Sequence, residues 1–308
     1  MKAYTRNITL WQLRTRALEP GRRTLVMGIV NVTPDSFSDG GRFFDPAAAV
    51  AHGLQLLDEG ADILDLGAES TRPGSRAGSR AGGASGVPLV SAEEEQARLL
   101  PVIQGILLTR PDAIISVDTY KAATAQAALA AGAEIVNDVS GLAWDAEMAS
   151  VCAEAGSGIV LMHTRGRPEQ WSAQPQLDAD ELLRTVRAGL EASLAAATAA
   201  GISREAIVLD PGYGFGKRFD ENYFLLARQA ELLELRCPLL AGVSRKSFLG
   251  RTLAPLHNGS DAPVEERETA SVAALVAAIL HGASIVRVHS VRAAVEAARI
   301  ADAVSAAG

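Results

Sequence analysis

From Thr24 onward the chain repeats one pattern eight times: a short β-branched or aliphatic run, most often followed by a longer amphipathic or Ala-rich stretch. The runs are Thr24–Val32, Ala61–Ala68, Ala113–Thr119, Glu134–Val139, Gly158–His163, Ala206–Gly212, Pro238–Val243 and Ser284–Ser290. Helical segments are expected at Pro46–Glu59, Ala92–Leu108, Lys121–Ala131, Ala179–Ala200, Glu221–Glu234 and Thr269–His281. Strand–helix alternation implies a parallel sheet, because parallel neighbours need crossover connections. Eight such units predict an α/β fold, a (β/α)8 TIM barrel forming a single domain over residues 24–308, with an N-terminal extension at 1–23. An open doubly wound sheet is the architectural rival, but eight similar units with no second domain favour the closed barrel. A length of 308 residues with 48% hydrophobic side chains suits one large barrel core.

The segments "DEGAD" (58–62), "LAAGAE" (129–134) and "LHGAS" (280–284) each place Gly just past a predicted helix and Ala at the start of the next strand. Gly there is expected to take the left-handed conformation that closes a helix. One stretch breaks the pattern. Gly74–Pro88 reads GSRAGSRAGGASGVP, has little apolar surface to bury, and falls after the second strand on the face where barrels carry active sites. A lid and a tolerated insertion are equally good readings of it.

The formal net charge is −7, so general binding to nucleic acid or an anionic membrane is not expected, and any anionic ligand needs a local basic cluster. Cys152 and Cys237 lie far apart and outside any CxxC, which reads as inert buried thiols in a cytoplasmic protein. No signal peptide is recognisable in residues 1–20, and the longest apolar stretch, Val272–Leu280, is too short to span a bilayer.

The strand bodies are apolar, but their C-terminal ends are not. The first run ends in Asn31, Thr33 and Asp35; the second carries Asp65 and leads to Glu69, Thr71 and Arg72. Asp118, then Asn137 and Asp138, then His163, then Asp210 end the next four. The seventh leads into Ser244, Arg245, Lys246 and Ser247, and the eighth carries Arg287 and His289. Any one of these is ordinarily a helix cap or a satisfied core polar group. Eight together converge on the barrel mouth, where charged groups are costly to desolvate unless they meet each other or a ligand.

Arg287 and His289 are two apart on a strand and share a face. With Arg245 and Lys246 they put cations where this fold often binds phosphate, while internal salt bridges to Asp118 or Asp210 remain a compatible role. Asp118, Asn137 and Asp210 suit a flat heterocycle rich in N–H donors; a carboxylate-held metal is the rival, and Lys246 argues against a tight metal cage. "DPGYGFGK" (210–217) fits neither a dinucleotide fingerprint nor a P-loop, so its glycines are read as letting backbone turn close to a ligand. His52 and His281 fall in predicted helices and His257 in a loop, where packing or surface roles are expected.

These motifs resemble those of the dihydropteroate synthases. "MGIVNVTPDSFSDGG" (27–41) and "DLGAESTRPGS" (65–75) look like their first two signatures. "SVDTYK", "IVNDVSG", "VLMH", "LDPGYGFGK", "GVSRKSFLG" and "IVRVHSV" follow in order. The resemblance covers nearly everything from Thr24 and implies condensation of 6-hydroxymethyl-7,8-dihydropterin pyrophosphate with p-aminobenzoate. It implies that Asn31 meets the pyrophosphate and a Mg2+ ion and that the loop Thr33–Gly41 folds over the site. Thr71 and Arg72 would hold pyrophosphate and frame the aminobenzoate pocket. Asp118, Asn137 and Asp210 would bind the pterin edge, with Met162 and Phe215 lining its pocket. Lys246 would contact both the pterin and the p-aminobenzoate, Ser247 the aminobenzoate carboxylate, and Arg287 with His289 the pterin face and phosphates. Arg72, Lys246, Arg287 and His289 would be the catalytic set. The family also implies a homodimer, through the Ala-rich last helices, and a sulfonamide target.

Two features depart from the family pattern. Gly74–Pro88 is longer than usual, and Ser290 stands where relatives commonly carry Asp. A folate-dependent methyltransferase on the same fold would not need Asn31, the 33–41 loop or the Arg287/His289 pair. A non-catalytic pterin-binding paralogue would be expected to have lost residues at the mouth, and none is lost here.

Overall fold

A computed structural model describes residues 9–33, 45–69 and 90–307. Its strands are β1 (Leu25–Asn31), β2 (Ile63–Gly67), β3 (Ile115–Asp118), β4 (Ile135–Asp138), β5 (Gly158–Met162), β6 (Ile207–Asp210), β7 (Leu240–Ala241) and β8 (Ile285–Val288). All neighbouring pairs are parallel, in the order β6-β5-β4-β3-β2-β1-β8-β7. A parallel bridge between Leu209 and Leu239 joins the two ends, so the sheet closes into the expected barrel. The helices around it are α1 (Pro46–Asp58), α2 (Ala92–Thr109), α3 (Ala122–Ala130), α4 (Met148–Ala155), α5 (Ala179–Ala199), α6 (Phe219–Arg228), α7 (Ser247–Thr252), α8 (Glu268–Leu280) and α9 (Val291–Ala307).

Local chemistry sets the helix ends. Asp45 caps α1, accepting from the Ala47 N–H at 2.9 Å, and Pro46 opens the helix. Asp178 and Glu181 form a capping box on α5. The three Gly-Ala joints behave as expected: Gly60, Gly132 and Gly282 take positive φ values of 103°, 112° and 95°. The segment expected as one helix over Glu221–Glu234 instead leaves α-geometry after Arg228 and continues as a 3-10 turn, Gln229–Leu235. The cause is tertiary. The fully buried Gln229 side chain donates to the Ala278 carbonyl at 2.6 Å and accepts from the Tyr213 hydroxyl. Helices α4 and α7 were not anticipated, and β7 is only two residues of the Pro238–Val243 run.

Two apolar layers hold the barrel. One lies between strands and helices. The other fills the barrel's lower interior, with Leu25, Met27, Ile63, Ile135, Val208 and Ile285 among its members. Trp11 and Leu13 join this inner layer, because the segment before Thr24 folds under the barrel as an antiparallel hairpin, Trp11–Gln12 with Ala17–Leu18. The Trp11 indole N–H donates to the Ala206 carbonyl at 2.9 Å, and the Thr15 N–H donates to Glu134 at 2.8 Å. The floor is thereby sealed.

Candidate active site

Side chains alternate along a strand, so those facing the barrel axis form one parity per strand. Following that parity upward from the inner layer gives Ile63 then Asp65 on β2, and Ile114, Ser116, Asp118 on β3. It gives Ile135 then Asn137 on β4, Val160 then Met162 on β5, Val208 then Asp210 on β6, and Ile285, Arg287, His289 on β8. Each series starts apolar at the floor, and all but Met162 end polar. The register sets the tips level: Asp118 pairs with Asn137, and Met162 with Asp210. Above them opens a cavity of about 310 Å³ bordered by Asn31, Asp118, Asn137, Met162, Asp210, Phe215, Lys246, Ser247, Arg287 and His289. Every described residue of the expected site is therefore in one cavity. Thr71, Arg72, nearly all of the 33–41 loop and the 74–88 segment lie outside the described residues.

Parity also corrects two expectations. Asp138 and His163 have the opposite parity and do not border the cavity. The Asp138 carboxylate accepts from the Ser140 and Leu142 N–H groups at 2.8 and 2.7 Å, shaping the turn after β4. The His163 ring lies over Gly189 of α5, where an added Cβ would come within 2.4 Å of it. Burial, with Lys217 and Arg165 nearby, keeps that imidazole neutral by pushing its pKa well below the ordinary value.

Arg287 occupies the centre. Its Nε donates to Asp65 at 2.6 Å and its Nη2 to Asp118 at 2.7 Å. Burial opposes the guanidinium charge, but the two carboxylates outweigh it and raise the pKa. Asp65 also accepts from the Asn137 amide at 3.1 Å, so one fully buried carboxylate orients both an expected pterin ligand and an expected phosphate ligand. Asp65 was read only as a polar residue on a strand. Its inward parity on β2, two before Gly67, was the available signal. Burial pushes the Asp118 pKa up to about 7; Arg287 lowers it, and Asp65 and Glu95 raise it further. Burial likewise raises Asp210, against the Gly212 N–H at 2.7 Å and the charge of Lys246.

The loop after β6 forms the opposite wall. Gly212 takes φ +72°, and a Cβ there would stand 2.0 Å from the His163 carbonyl oxygen, so only glycine permits this close return of the chain. The buried Lys217 ammonium caps three carbonyls, Gly212 at 2.7 Å, His163 at 3.2 Å and Phe215 at 3.3 Å. Burial lowers its pKa to about 7 despite the neighbouring Asp210. The Lys246 ammonium sits 4.1 Å from the centre of the Phe215 ring, and Trp171 makes a T-shaped contact with the same ring, centres 5.3 Å apart. Trp171 borders the cavity and was not anticipated; nothing in its spacing marks it.

Of the expected cations, Arg245 also borders the cavity but is already paired. Its guanidinium pairs with Glu268 at 3.3 Å and contacts the Ser290 hydroxyl at 3.3 Å. His289 Nδ1 lies 3.0 Å from the Ser244 hydroxyl. No cluster of three or more His, Cys, Asp or Glu fit to hold a metal occurs among the described residues. Asn31, a neutral oxygen donor at the rim, suits an ion that keeps its waters and takes most of its ligands from a diphosphate, as Mg2+ does.

Comparisons with known proteins agree with this geometry. The family model described as pterin binding enzyme matches residues 27–289. The dihydropteroate synthase of Mycobacterium leprae is 44% identical over 278 residues, covering 89% of this chain and 91% of that protein. The structure of Xanthomonas albilineans dihydropteroate synthase with 4-aminobenzoic acid superposes with TM-score 0.82 at 40% identity, covering 97% of this chain and 99% of that one. The Yersinia pestis dihydropteroate synthase in a sulfonamide drug complex gives TM-score 0.83 at 38% identity, covering 97% and 100%.

Proposed function

The chain belongs to the dihydropteroate synthase family of pterin-binding enzymes, and from that membership we propose how the residues at its mouth divide the reaction. The reaction joins 6-hydroxymethyl-7,8-dihydropterin pyrophosphate to p-aminobenzoate, giving 7,8-dihydropteroate and pyrophosphate. The observation that carries the division is the single cavity in which Asp118, Asn137 and Asp210 stand beside Arg287, His289 and Lys246.

Asp118, Asn137 and Asp210 take the N–H-rich edge of the pterin, with Met162 and Phe215 against its ring. Lys246 meets the pterin's oxo and ring nitrogen. Arg287 and His289, with Asn31, Thr71 and Arg72, hold the diphosphate. Asp65 and Asp118 take two of the five N–H donors of Arg287 and fix its plane before substrate arrives, so little reorganisation remains when charge develops on the leaving group. The C–O bond breaks early, and the carboxylates of Asp118 and Asp210 favour the positive charge left on the pterin methylene. The neutral amine of p-aminobenzoate, held through its carboxylate by Ser247 and framed by Thr71 and Arg72, then forms the C–N bond. The resulting anilinium is acidic enough to lose its proton to water or pyrophosphate, so no dedicated base is required. Mg2+ held by the diphosphate and Asn31 would supply added charge neutralisation for the leaving group.

The same reading covers the setting. Sulfonamides, as p-aminobenzoate mimics, compete at Ser247 and Lys246. The exposed Ile300 and Val304 of α9 support a homodimer through the last helices. Two buried, unpaired cysteines support a cytoplasmic location, and among the described residues no helix is long and apolar enough to cross a membrane. Pyrophosphate release measured with and without p-aminobenzoate tests the reading. Release that depends on the amine is expected; pterin binding with no release, or release indifferent to the amine, would overturn it.

A further inference from the structure

The groups proposed for the pterin edge, Asp118, Asn137 and Asp210, sit on strand ends, deep in the barrel. Trp171 does not. It belongs to a 3-10 turn, Pro168–Ala173, in the loop after β5, beyond the ring of strand tips, yet it borders the same cavity. Several contacts fix it there. The indole N–H lies 3.2 Å from the Thr164 hydroxyl and 3.1 Å from the Gly166 carbonyl. Its Cδ1 lies where a Cβ on Gly216 would come within 2.9 Å, so the glycine leaves room for the ring. The turn is tied down behind it: Arg165 pairs with the fully buried Glu221 at 3.1 Å and donates to the Pro175 carbonyl at 2.7 Å.

A turn held this firmly delivers one thing to the cavity, an indole at right angles to the Phe215 ring, with ring centres 5.3 Å apart and planes at 86°. The Lys246 ammonium lies over that same phenyl ring at 4.1 Å. Trp171, Phe215 and Lys246 thus form a continuous row, and Ser247 follows Lys246 directly in sequence. Edge-to-face and cation–π contacts both depend on ring orientation, so bracing Phe215 also fixes where Lys246 rests. The two substrates must meet beside this row, because Lys246 belongs to both proposed subsites. The pterin meets Phe215 and Lys246 of the row but has its edge fixed by Asp118, Asn137 and Asp210 at the strand tips. The aromatic ring of the amine, entering later and higher, has the row as its wall.

We propose that Trp171 is a positioning residue for the arylamine substrate, bracing Phe215 and through it Lys246 so that p-aminobenzoate finds a formed wall. The proposal rests on the assignment of Lys246 and Ser247 to p-aminobenzoate. It concerns capture of the amine and leaves the bond-breaking groups alone.

Steady-state kinetics and pterin calorimetry on Trp171→Ala, Trp171→Phe and Ser247→Ala test it. Losing one edge-to-face pair should raise the KM for p-aminobenzoate about three- to tenfold in Trp171→Ala. Saturated turnover should stay near its wild-type value and the pterin dissociation constant should rise much less than the KM, because Asp118, Asn137 and Asp210 still hold the pterin edge, and Trp171→Phe, which keeps an aromatic ring, should recover most of the loss. An unchanged KM for p-aminobenzoate, a parallel loss of pterin affinity, or a Trp171→Phe variant no better than Trp171→Ala would each overturn the proposal. Ser247→Ala separates the two levels. If it raises the KM while Trp171→Ala does not, the inference alone fails; if Ser247→Ala leaves the KM unchanged, the subsite assignment fails and takes the inference with it.

Discussion

The floor and the mouth of this barrel are built by the same strands on the same inward parity, yet they solve opposite problems. At the floor, Trp11, Leu13, Met27, Ile63 and Ile285 bury apolar surface, and the one polar atom of Trp11 finds the Ala206 carbonyl. At the mouth, further up the same strands, Asp118, Asn137, Asp210 and Arg287 stand around a cavity, with Asp65 buried against Arg287. Among the described residues, one buried carboxylate oxygen of Asp65 has no hydrogen-bond partner. A floor of this kind earns stability, while a mouth of this kind holds charge in place for a ligand. Changes at the floor should therefore move unfolding and leave turnover alone, and changes at the mouth should do the reverse.

The strongest test at the floor is Trp11→Ala. Truncating a fully buried indole should cost about 3–5 kcal/mol of unfolding free energy. Urea unfolding should show this, while kcat/KM of the remaining folded enzyme stays at the wild-type value. A large loss of activity without loss of stability would mean that the hairpin acts on the mouth and that the two ends are not separable.

Arg287→Ala is the next largest and the least tidy. Removing a donor proposed to hold the leaving group should lower turnover about 10²- to 10³-fold. The contacts to Asp65 and Asp118 add a second effect that the sequence did not announce. An Arg at a strand end reads as a ligand group whose loss spares stability, but here it neutralises two carboxylates, so stability should fall as well. Adding Asp65→Asn to Arg287→Ala should return much of the stability and none of the turnover. If the double variant regains turnover, Arg287 was serving the carboxylates and not the substrate.

Asp210→Asn separates the two properties cleanly. The amide oxygen can still accept from the Gly212 N–H, and a carboxylate disfavoured by burial is removed, so the unfolding midpoint should hold or rise. Pterin affinity should fall by about 1.5–3 kcal/mol, the worth of a hydrogen bond to a charged group, and calorimetry with the pterin substrate reads it. Unchanged affinity would remove Asp210 from the pterin edge.

Much of this was readable before any coordinates. Period-2 alternation within each run fixes which residues share a face, so Arg287 with His289, and the polar tips as a set, follow from spacing. What spacing could not give was absolute parity where a run ends in two polar residues. Asn137 faces the cavity and Asp138 the turn; Met162 faces in while His163 packs on α5. Nor could it give partners far apart in sequence. Asp65 acquires its role only when β8 lies close enough to offer Arg287, 222 positions away. Trp171 sits in a loop whose shape depends on the Arg165–Glu221 pair, and the unwinding after Arg228 depends on a carbonyl in α8. Local pattern carries the barrel and its polar rim; the pairing that turns the rim into a site is tertiary.

The smallest effect, counted per pH unit, comes from acidity and divides the mouth itself. At the floor Trp11 joins an apolar cluster and itself carries no titratable group, so Trp11→Ala should lower stability with little change in the shape of its pH dependence. The mouth has two opposed limbs. Asp118, raised to about 7 from an ordinary 3.8, binds more protons folded than unfolded between those values, so its contribution makes stability fall as pH rises from about 4 to 7. Lys217, lowered to about 7 from 10.5, binds fewer protons folded than unfolded above pH 7. Its cost is fully present below that pH and is relieved as pH rises toward 10.5, by at most about 1.4 kcal/mol per pH unit. Chemical unfolding between pH 7 and 10 should therefore show a rising component in the wild type that Lys217→Met lacks, and Asp118→Asn should remove only the limb below 7. If Lys217→Met keeps the rising component, the ammonium stays charged on its three carbonyls throughout, and the strain at the mouth resides with the carboxylates alone.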